Sequence, residues 1–403
     1  PIPSRGLGDV YKRQILGSLR LPFFLDINGH NNLVEIYKNS IAIIGAGISG
    51  LALGIILNKQ NIKSVIFEKS SSVSEYGAGI SISKNGQYVL SELEILDNLK
   101  IISGNPQKAV FFSGSKKITS IESNVVTTSR KSLYDLLLNK YIDTGGEVCF
   151  DYELINVNNL NKMVFFKNGS SYEVSHIAAC DGINSICRLR TLESSKPQYS
   201  GYSVWRSILD QKQQDINFHL GPNFHVVTYP INEKKTSFVA AVKKNKKHKE
   251  SWYAKGTYDD LKEDIPQEIL MKYKDLKFTN EIYKWGVFVR PKINLLFSEN
   301  ITFLGDAAHP IVPFIGQGGC LALEDSFLLG NLFSKYSSIK DIQINYQRLR
   351  QKRIQFVAKS SFNQGKLNHL KHPLLIFLRN YLMKNTQIIK YMTNKIWDYR
   401  PYL

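Results

Sequence analysis

The chain has 403 residues, with 43% apolar and 21% charged side chains, so it is neither disordered nor fibrous and is long enough for two or three domains. Lys and Arg outnumber Asp and Glu by 52 to 34, a formal charge of +18. The excess is local. Residues 345–403 carry twelve Lys or Arg and one acid, Asp398, and Lys243, Lys244, Lys246, Lys247 and Lys249 add a second cluster. No nucleic-acid-binding motif accompanies either cluster, so no nucleic-acid partner is expected. They read as solvated surface, with attraction to an anionic membrane or acidic substrate as the minority reading. Cys149, Cys180, Cys187 and Cys320 form no CxxC pair and no zinc spacing. That argues against a disulfide scaffold and a metal site, and for a reducing, cytoplasmic setting.

The first Met is Met163, and Asp9 to Gln14 resembles the translated end of a transposon adapter. Pro1 to Gln14 therefore reads as a cloning or assembly scar, and 1–39 as an extension outside the fold. Ile41 to Leu57 carries no charge. At seventeen residues with four glycines it falls short of the roughly 20 apolar residues of a membrane span. No transmembrane segment is expected.

Ile41–Ile44 reads as a buried strand running into Gly45-Ala46-Gly47-Ile48-Ser49-Gly50, then an apolar helix to about Gln60. Val65 to Glu68 reads as a second strand ending in an acid. Gly45 suits the tight turn, Gly47 the approach of a pyrophosphate, and Gly50 close helix–strand packing. Free N–H groups at the helix start suit phosphates. Glu68, 18 residues after Gly50, suits an unphosphorylated ribose, which favours FAD or NAD over NADP. Further on, Met163–Phe166 and Tyr172–Val174 flank Asn168-Gly169, a hairpin signal. His176–Cys180 reads as a strand leading into Asp181-Gly182-Ile183-Asn184-Ser185-Ile186-Cys187-Arg188. Strand-like runs follow at 201–208, 223–229 and 236–243. Ile301–Leu304 is a strand entering Gly305-Asp306-Ala307-Ala308-His309-Pro310. Gly316-Gln317-Gly318-Gly319 then opens a helix bearing Glu324 and Asp325.

GxGxxG, DGxxSxxR and GDAAHP…GQGGCxALED, in this order, resemble the class A flavoprotein monooxygenases of the para-hydroxybenzoate hydroxylase type. The resemblance runs from about Ser40 to Lys384 and is nearest the salicylate hydroxylase, urate hydroxylase and zeaxanthin epoxidase subgroup. It implies an α/β fold: a Rossmann-like FAD-binding domain of glutathione-reductase type over 40–105, 125–198 and 282–365. A substrate-binding β-sheet domain would occupy 106–124 and 199–281, and C-terminal helices 366–403. It further implies that FAD is held by Gly45, Ala46, Gly47, Gly50, Glu68, Lys69, Arg130, Asp181, Asp306, Gly316, Gln317, Gly318 and Gly319. Asp181 and Arg188 are read either as handling FAD and NAD(P)H or as capping the next turn and pairing locally. His309 is read as packing or hydrogen bonding rather than as a base, and Cys320 as a small packing residue.

No catalytic acid or base is identified; Arg206 is the substrate-orienting candidate, with Tyr202, His225, Tyr229 and Phe314 as lining candidates. The implied reaction takes NADH or NADPH, O₂ and a small aromatic or unsaturated substrate, and proceeds through a C4a-hydroperoxyflavin to hydroxylation or epoxidation. Two alternatives stand beside it. One is an FAD reductase or dehydrogenase on an isoprenoid or quinone-like substrate. The other is a peripheral membrane protein, motivated by Leu374 to Leu378 among basic residues.

Overall fold

The computed structural model describes residues 35–71, 79–192, 196–244, 255–279, 281–290 and 295–402. The expected extension over 1–39 lies outside these up to residue 34, as do Lys246, Lys247 and Lys249. Of that lysine run, Lys244 is described, and it pairs with Asp264.

Ile41–Ile44 and His176–Ala179 are buried along their whole length, which suits strands at the centre of a sheet covered on both faces. The strands of that six-stranded sheet run in the order Phe297–Ser298, Ile301–Phe303, His176–Ala179, Ile41–Ile44, Ser64–Phe67, Glu147–Cys149. All pairings are parallel except that of the edge strand Phe297–Ser298. Helix Ile48–Lys59 packs between Gly318–Lys335 and Arg130–Asp143. It is apolar on all sides, and its residues 48–57 are buried. The hairpin expected around Asn168-Gly169 forms between Met163–Phe166 and Ser171–Glu173, in a three-stranded sheet with Leu154–Asn158.

A second sheet has seven strands, in the order Tyr283–Val289, Gln198–Leu209, Thr236–Lys243, Phe224–Pro230, Ile216–Gly221, Lys108–Ser113, Lys116–Glu122. It therefore runs on past the boundary expected at 281. One face packs Trp205, Val226, Phe238 and Ala240 against Leu261, Ile265, Ile269 and Leu270. These four lie on or beside two short helices, Tyr258–Asp264 and Gln267–Leu270. A capping box between Thr257 and Asp260 starts the first of them. The other face looks towards the six-stranded sheet's ligand end.

The long helix Ile339–Asn368 crosses both regions and is followed by Pro373–Asn385 and Ile388–Trp397. Of Pro373–Asn385, only Arg379 is buried. No helix of the described residues is long and apolar enough to cross a membrane.

Candidate functional site

At the carboxyl ends of the parallel strands, the turn after Ile41–Ile44 is closed by contact. Gly45 sits at φ +103°, and a Cβ on Gly50 would lie 2.0 Å from the Gly45 carbonyl oxygen. Only glycine permits both. A Cβ at Gly47, by contrast, would meet nothing within 4 Å, so its backbone faces open space. The helix it starts has no side-chain cap and no acid in its first turn. Helix Gly318–Lys335 begins in the same way, uncapped, with open space before Gly318. Both N-termini face one cavity of about 900 Å³, at the upper end of the roughly 300–1,000 Å³ of ligand clefts. Two unpaired helix starts favour negative charge and carbonyl oxygens there.

Of the residues singled out in the sequence, Gly47, Arg130, Arg206, His225, Tyr229, Asp306, Phe314, Gly316, Gly318 and Gly319 line this cavity. Arg130 opens helix Arg130–Asp143, whose cap is the Ser129 hydroxyl accepting from the Ser132 N–H. The others are not among the lining residues. Glu68 accepts from the Ala46 N–H (2.8 Å) and the Ser70 N–H (3.0 Å), fixing the loop to the second strand. Lys69 is exposed. The Gln317 side chain turns inward, donating to Ser83 Oγ and accepting from Asn85.

Asp181 caps the following turn by accepting from the Cys187 N–H at 3.0 Å, and burial raises its pKa. Arg188 is buried and donates to the Ala307 and Leu295 carbonyls, so it ties the DGxxSxxR segment to the Gly305–Ala307 turn. Tyr202 stands edge-on to Phe314, ring centroids 4.8 Å apart, and supports it from the sheet.

A buried charged network escaped the sequence reading. Asp325 accepts from the Gly305 N–H (2.9 Å) and Arg350 Nε (2.7 Å), with His309 Nε2 at 2.5 Å. Glu324 accepts from Arg350, Arg353 and Asn85. Burial alone would raise both carboxyls, but for Asp325 the charges of His309 and Arg350, and for Glu324 those of Arg350 and Arg353, hold them below their ordinary values. Asp325 thus holds the Gly305–Asp306 turn. Glu324, through Asn85 and Gln317, holds the glycine run at 316–319. Two adjacent acids on one helix position both loops of the cavity's upper wall. The signal was present, in the acids of ALED and the arginines of Tyr346–Arg353, but nothing in it says that they meet. The expectation for His309 agrees with this geometry.

Arg206 projects from the seven-stranded sheet. Its guanidinium lies 5.1 Å from the centre of the Trp285 ring. Its Nε is buried without a hydrogen-bond partner, and burial lowers its pKa, partly offset by Tyr229. A desolvated cation with an open donor on a cavity wall is complementary to an anion or an oxygen-rich ring.

His225 Nδ1 lies 2.6 Å from His369 Nε2, joining the sheet to the end of the long helix. Burial lowers both pKa values, that of His369 to about 4. An unfolded histidine near 6.5 binds a proton first, so this contact's stability is complete above about pH 6.5 and is lost as pH falls towards 4. For His369 the shift corresponds to roughly 3 kcal/mol at about 1.36 kcal/mol per unit. Urea unfolding at pH 7.5 and 5.0 should show the wild type losing more stability than His369→Gln, whose side chain does not titrate.

A model of the family described as FAD binding domain matches residues 38–355. The 3-hydroxybenzoate 6-hydroxylase of Klebsiella oxytoca is 25% identical over 331 residues, 73% of this chain and 79% of its own. The 2-heptyl-3-hydroxy-4(1H)-quinolone synthase of Pseudomonas aeruginosa is 25% identical over 367 residues, 86% of this chain and 94% of its own. Klebsiella pneumoniae HpxO, solved with FAD and uric acid, shares the fold with a TM-score of 0.78 at 21% identity, covering 92% of this chain and 98% of that one. With the glycine loop, the uncapped helix starts and a family match over most of its length, the chain belongs to the class A flavin monooxygenases, FAD-dependent hydroxylases of aromatic substrates.

Proposed function

We propose that the chain uses NADH or NADPH and O₂ to hydroxylate or epoxidise a small aromatic or unsaturated substrate bearing an anionic or oxygen-rich group. The observation that carries this reading is Arg206, an orphaned buried donor on the wall of the cavity that the glycine run also lines. FAD, when bound, would supply the redox chemistry: transfer of electrons from the nicotinamide to O₂, with one oxygen atom going to the substrate and the other to water.

The chain's own residues hold and shield. The backbone at Gly47 to Ser49 would bind the pyrophosphate, and Glu68 would accept from the adenosine ribose through lone pairs left after its two backbone bonds. Gly45 and Gly50 shape that turn, and Ala46 presents the N–H that Glu68 fixes. Lys69 would lie beside the adenine, and Arg130 and Asp306 would hold the ribityl chain and its neighbourhood. The Gly316–Gly319 backbone would face the carbonyl edge of the flavin, with Gln317 bracing it from behind. Asp181 acts through the turn it caps. Phe314, backed by Tyr202 and His225, and Tyr229 exclude water from the reacting face.

Arg206→Met should raise KM for a carboxylate-bearing ring by roughly 10²-fold, towards the lower end of the roughly 2–5 kcal/mol cost of truncating one side of a desolvated charge pair. Steady-state oxygen consumption checks this, and the bound flavin's absorbance reports that the site is still assembled. Oxidation of NADH without substrate-linked oxygen use would instead favour the reductase alternative.

The exposed helix Pro373–Asn385 supports a second, compatible reading: peripheral contact with an anionic membrane. Leu374 and Phe377 are 64% and 65% exposed, and Lys371, Lys384 and Lys390, near them in sequence, are exposed too. Flotation with anionic liposomes, weakened by salt, is the expected result; equal recovery with and without lipid contradicts it.

A further inference from the structure

The cavity is longer than a single ring requires. Every strand of the seven-stranded sheet contributes to its wall, from Trp285 on one edge to Ile121 on the other. Arg206 stands on the second strand, so five strand spacings, about 24 Å at roughly 4.8 Å each, separate its strand from the far edge. The character of the wall changes along this line. His225 and Tyr229, on the fourth strand, are its last polar side chains. Beyond them the fifth, sixth and seventh strands offer Ile216, Phe218, Ala109, Phe111 and Ile121. Phe111 and Phe218 stack at 4.8 Å, giving a flat apolar floor.

The roof over this far end is mostly apolar, although Arg379, Thr393 and Lys395 of the two C-terminal helices also line the cavity. Met383 and Ile389, from the two C-terminal helices, pack against the same cluster and line the cavity. At its outer end stand Leu375, Leu378 and Tyr391, which line the cavity and are 47%, 49% and 70% exposed. Protein interiors are packed to the density of organic crystals, and an apolar void forfeits stability in proportion to its volume. An apolar arm continuous with a site where Arg206 presents an open donor is therefore complementary to a molecule with a polar head and an apolar tail.

We propose that the arm between the sheet's last three strands and the two C-terminal helices binds the alkyl or prenyl tail of the substrate, while Arg206 holds its oxygen-bearing aromatic head. This rests on the monooxygenase reading for the head, and adds the tail. The tail enters past Leu375 and Tyr391 and lies along Phe111 and Phe218. Chain length is then a determinant of specificity.

The test uses the full FAD-loaded protein and 2-hydroxybenzoate with its 4-propyl, 4-pentyl and 4-heptyl derivatives. Binding is read by perturbation of the flavin spectrum and by calorimetry, and turnover by oxygen uptake. Affinity should rise about three- to fourfold per methylene, with an increasingly negative heat-capacity change. Ala109→Trp, which fills the arm from the sixth strand, should flatten that dependence. Ile121→Trp gives a second block from the seventh strand should the first fail to fold. Hydroxylation of the series with no dependence on chain length would overturn the arm and leave the monooxygenase reading standing. Chain-length-dependent binding without oxygen consumption would do the reverse, and no binding at any length would overturn both.

Discussion

Arg350→Met should destabilise the protein by about 3–5 kcal/mol, the cost of leaving buried charges without their partner. Arg350 is fully buried and bonds both Glu324 and Asp325, themselves fully buried. Without it, Glu324 keeps Arg353 and Asp325 keeps His309, but desolvation is less opposed at the two carboxyls and their folded pKa values rise above those of the wild type. The sign of the pH dependence follows. Arg350 stabilises the ionised carboxyls, so the variant's deficit is largest at neutral pH and shrinks as pH falls towards 4. The double variant Arg350→Met/Glu324→Gln should recover part of the loss, because it removes one of the stranded charges; non-additivity is the signature of direct coupling. Urea unfolding of the single and double variants at pH 7 and pH 4.5 measures both effects. Because Asp325 holds the Gly305–Asp306 turn and Glu324 holds the glycine run through Asn85 and Gln317, Arg350→Met should also bind FAD more weakly under conditions where it remains folded.

Gly50→Ala should remove FAD binding altogether. The new methyl would lie 2.0 Å from the Gly45 carbonyl oxygen and 3.2 Å from Ile43 Cγ2. The first contact is with a backbone atom that cannot move aside as a side chain could, so the strand–turn–helix unit must open. Overpacking of this kind costs typically about 1–3 kcal/mol in stability, and the displaced helix start loses its aim at the phosphates. Gly47→Ala separates the two effects. Its methyl meets no protein atom within 4 Å and points into the space the pyrophosphate would take. That variant should unfold at nearly the wild-type urea concentration, yet purify with little flavin. A ratio of flavin to protein absorbance near the wild-type value for Gly50→Ala would contradict the account of this turn.

The parts of the fold readable from sequence are those encoded locally. Ile41–Ile44, the glycine loop and helix Ile48–Lys59 follow one another, and their spacing fixes their geometry. The same holds for Ile301–Phe303 and the turn at Gly305. The seven-stranded sheet was readable only as separate runs. Lys108–Ser113 pairs in parallel with Ile216–Gly221, across about a hundred residues, and no local period names such a partner. Ile216–Gly221 and the short helices after Thr257 have no counterpart among the runs read from sequence, although the capping box there is a local signal.

The site divides in the same way. The backbone-presenting glycines and Asp306 sit on the cavity because their motifs place them at strand ends. Gln317 and Tyr202 came out behind the wall, because which way a side chain turns depends on Ser83, Asn85 and Phe314, none of them neighbours in sequence. The amphipathic period of Pro373–Asn385 shows a helix but not what its apolar face meets. In the structure Met383 packs against the seven-stranded sheet and Arg379 bonds the end of the long helix, while Leu374 and Phe377 stay exposed.

The central claim is that this chain holds FAD in a cavity where a substrate gates oxygen chemistry. Its most direct test is an absorbance spectrum of the purified protein, followed by anaerobic NADH or NADPH and then air, with a panel of phenolic and anionic aromatic compounds. The account predicts a yellow protein whose flavin bleaches faster with one class of compound, and that compound then gains one oxygen atom. A protein that takes up no FAD, even with residues 1–38 removed, would contradict it.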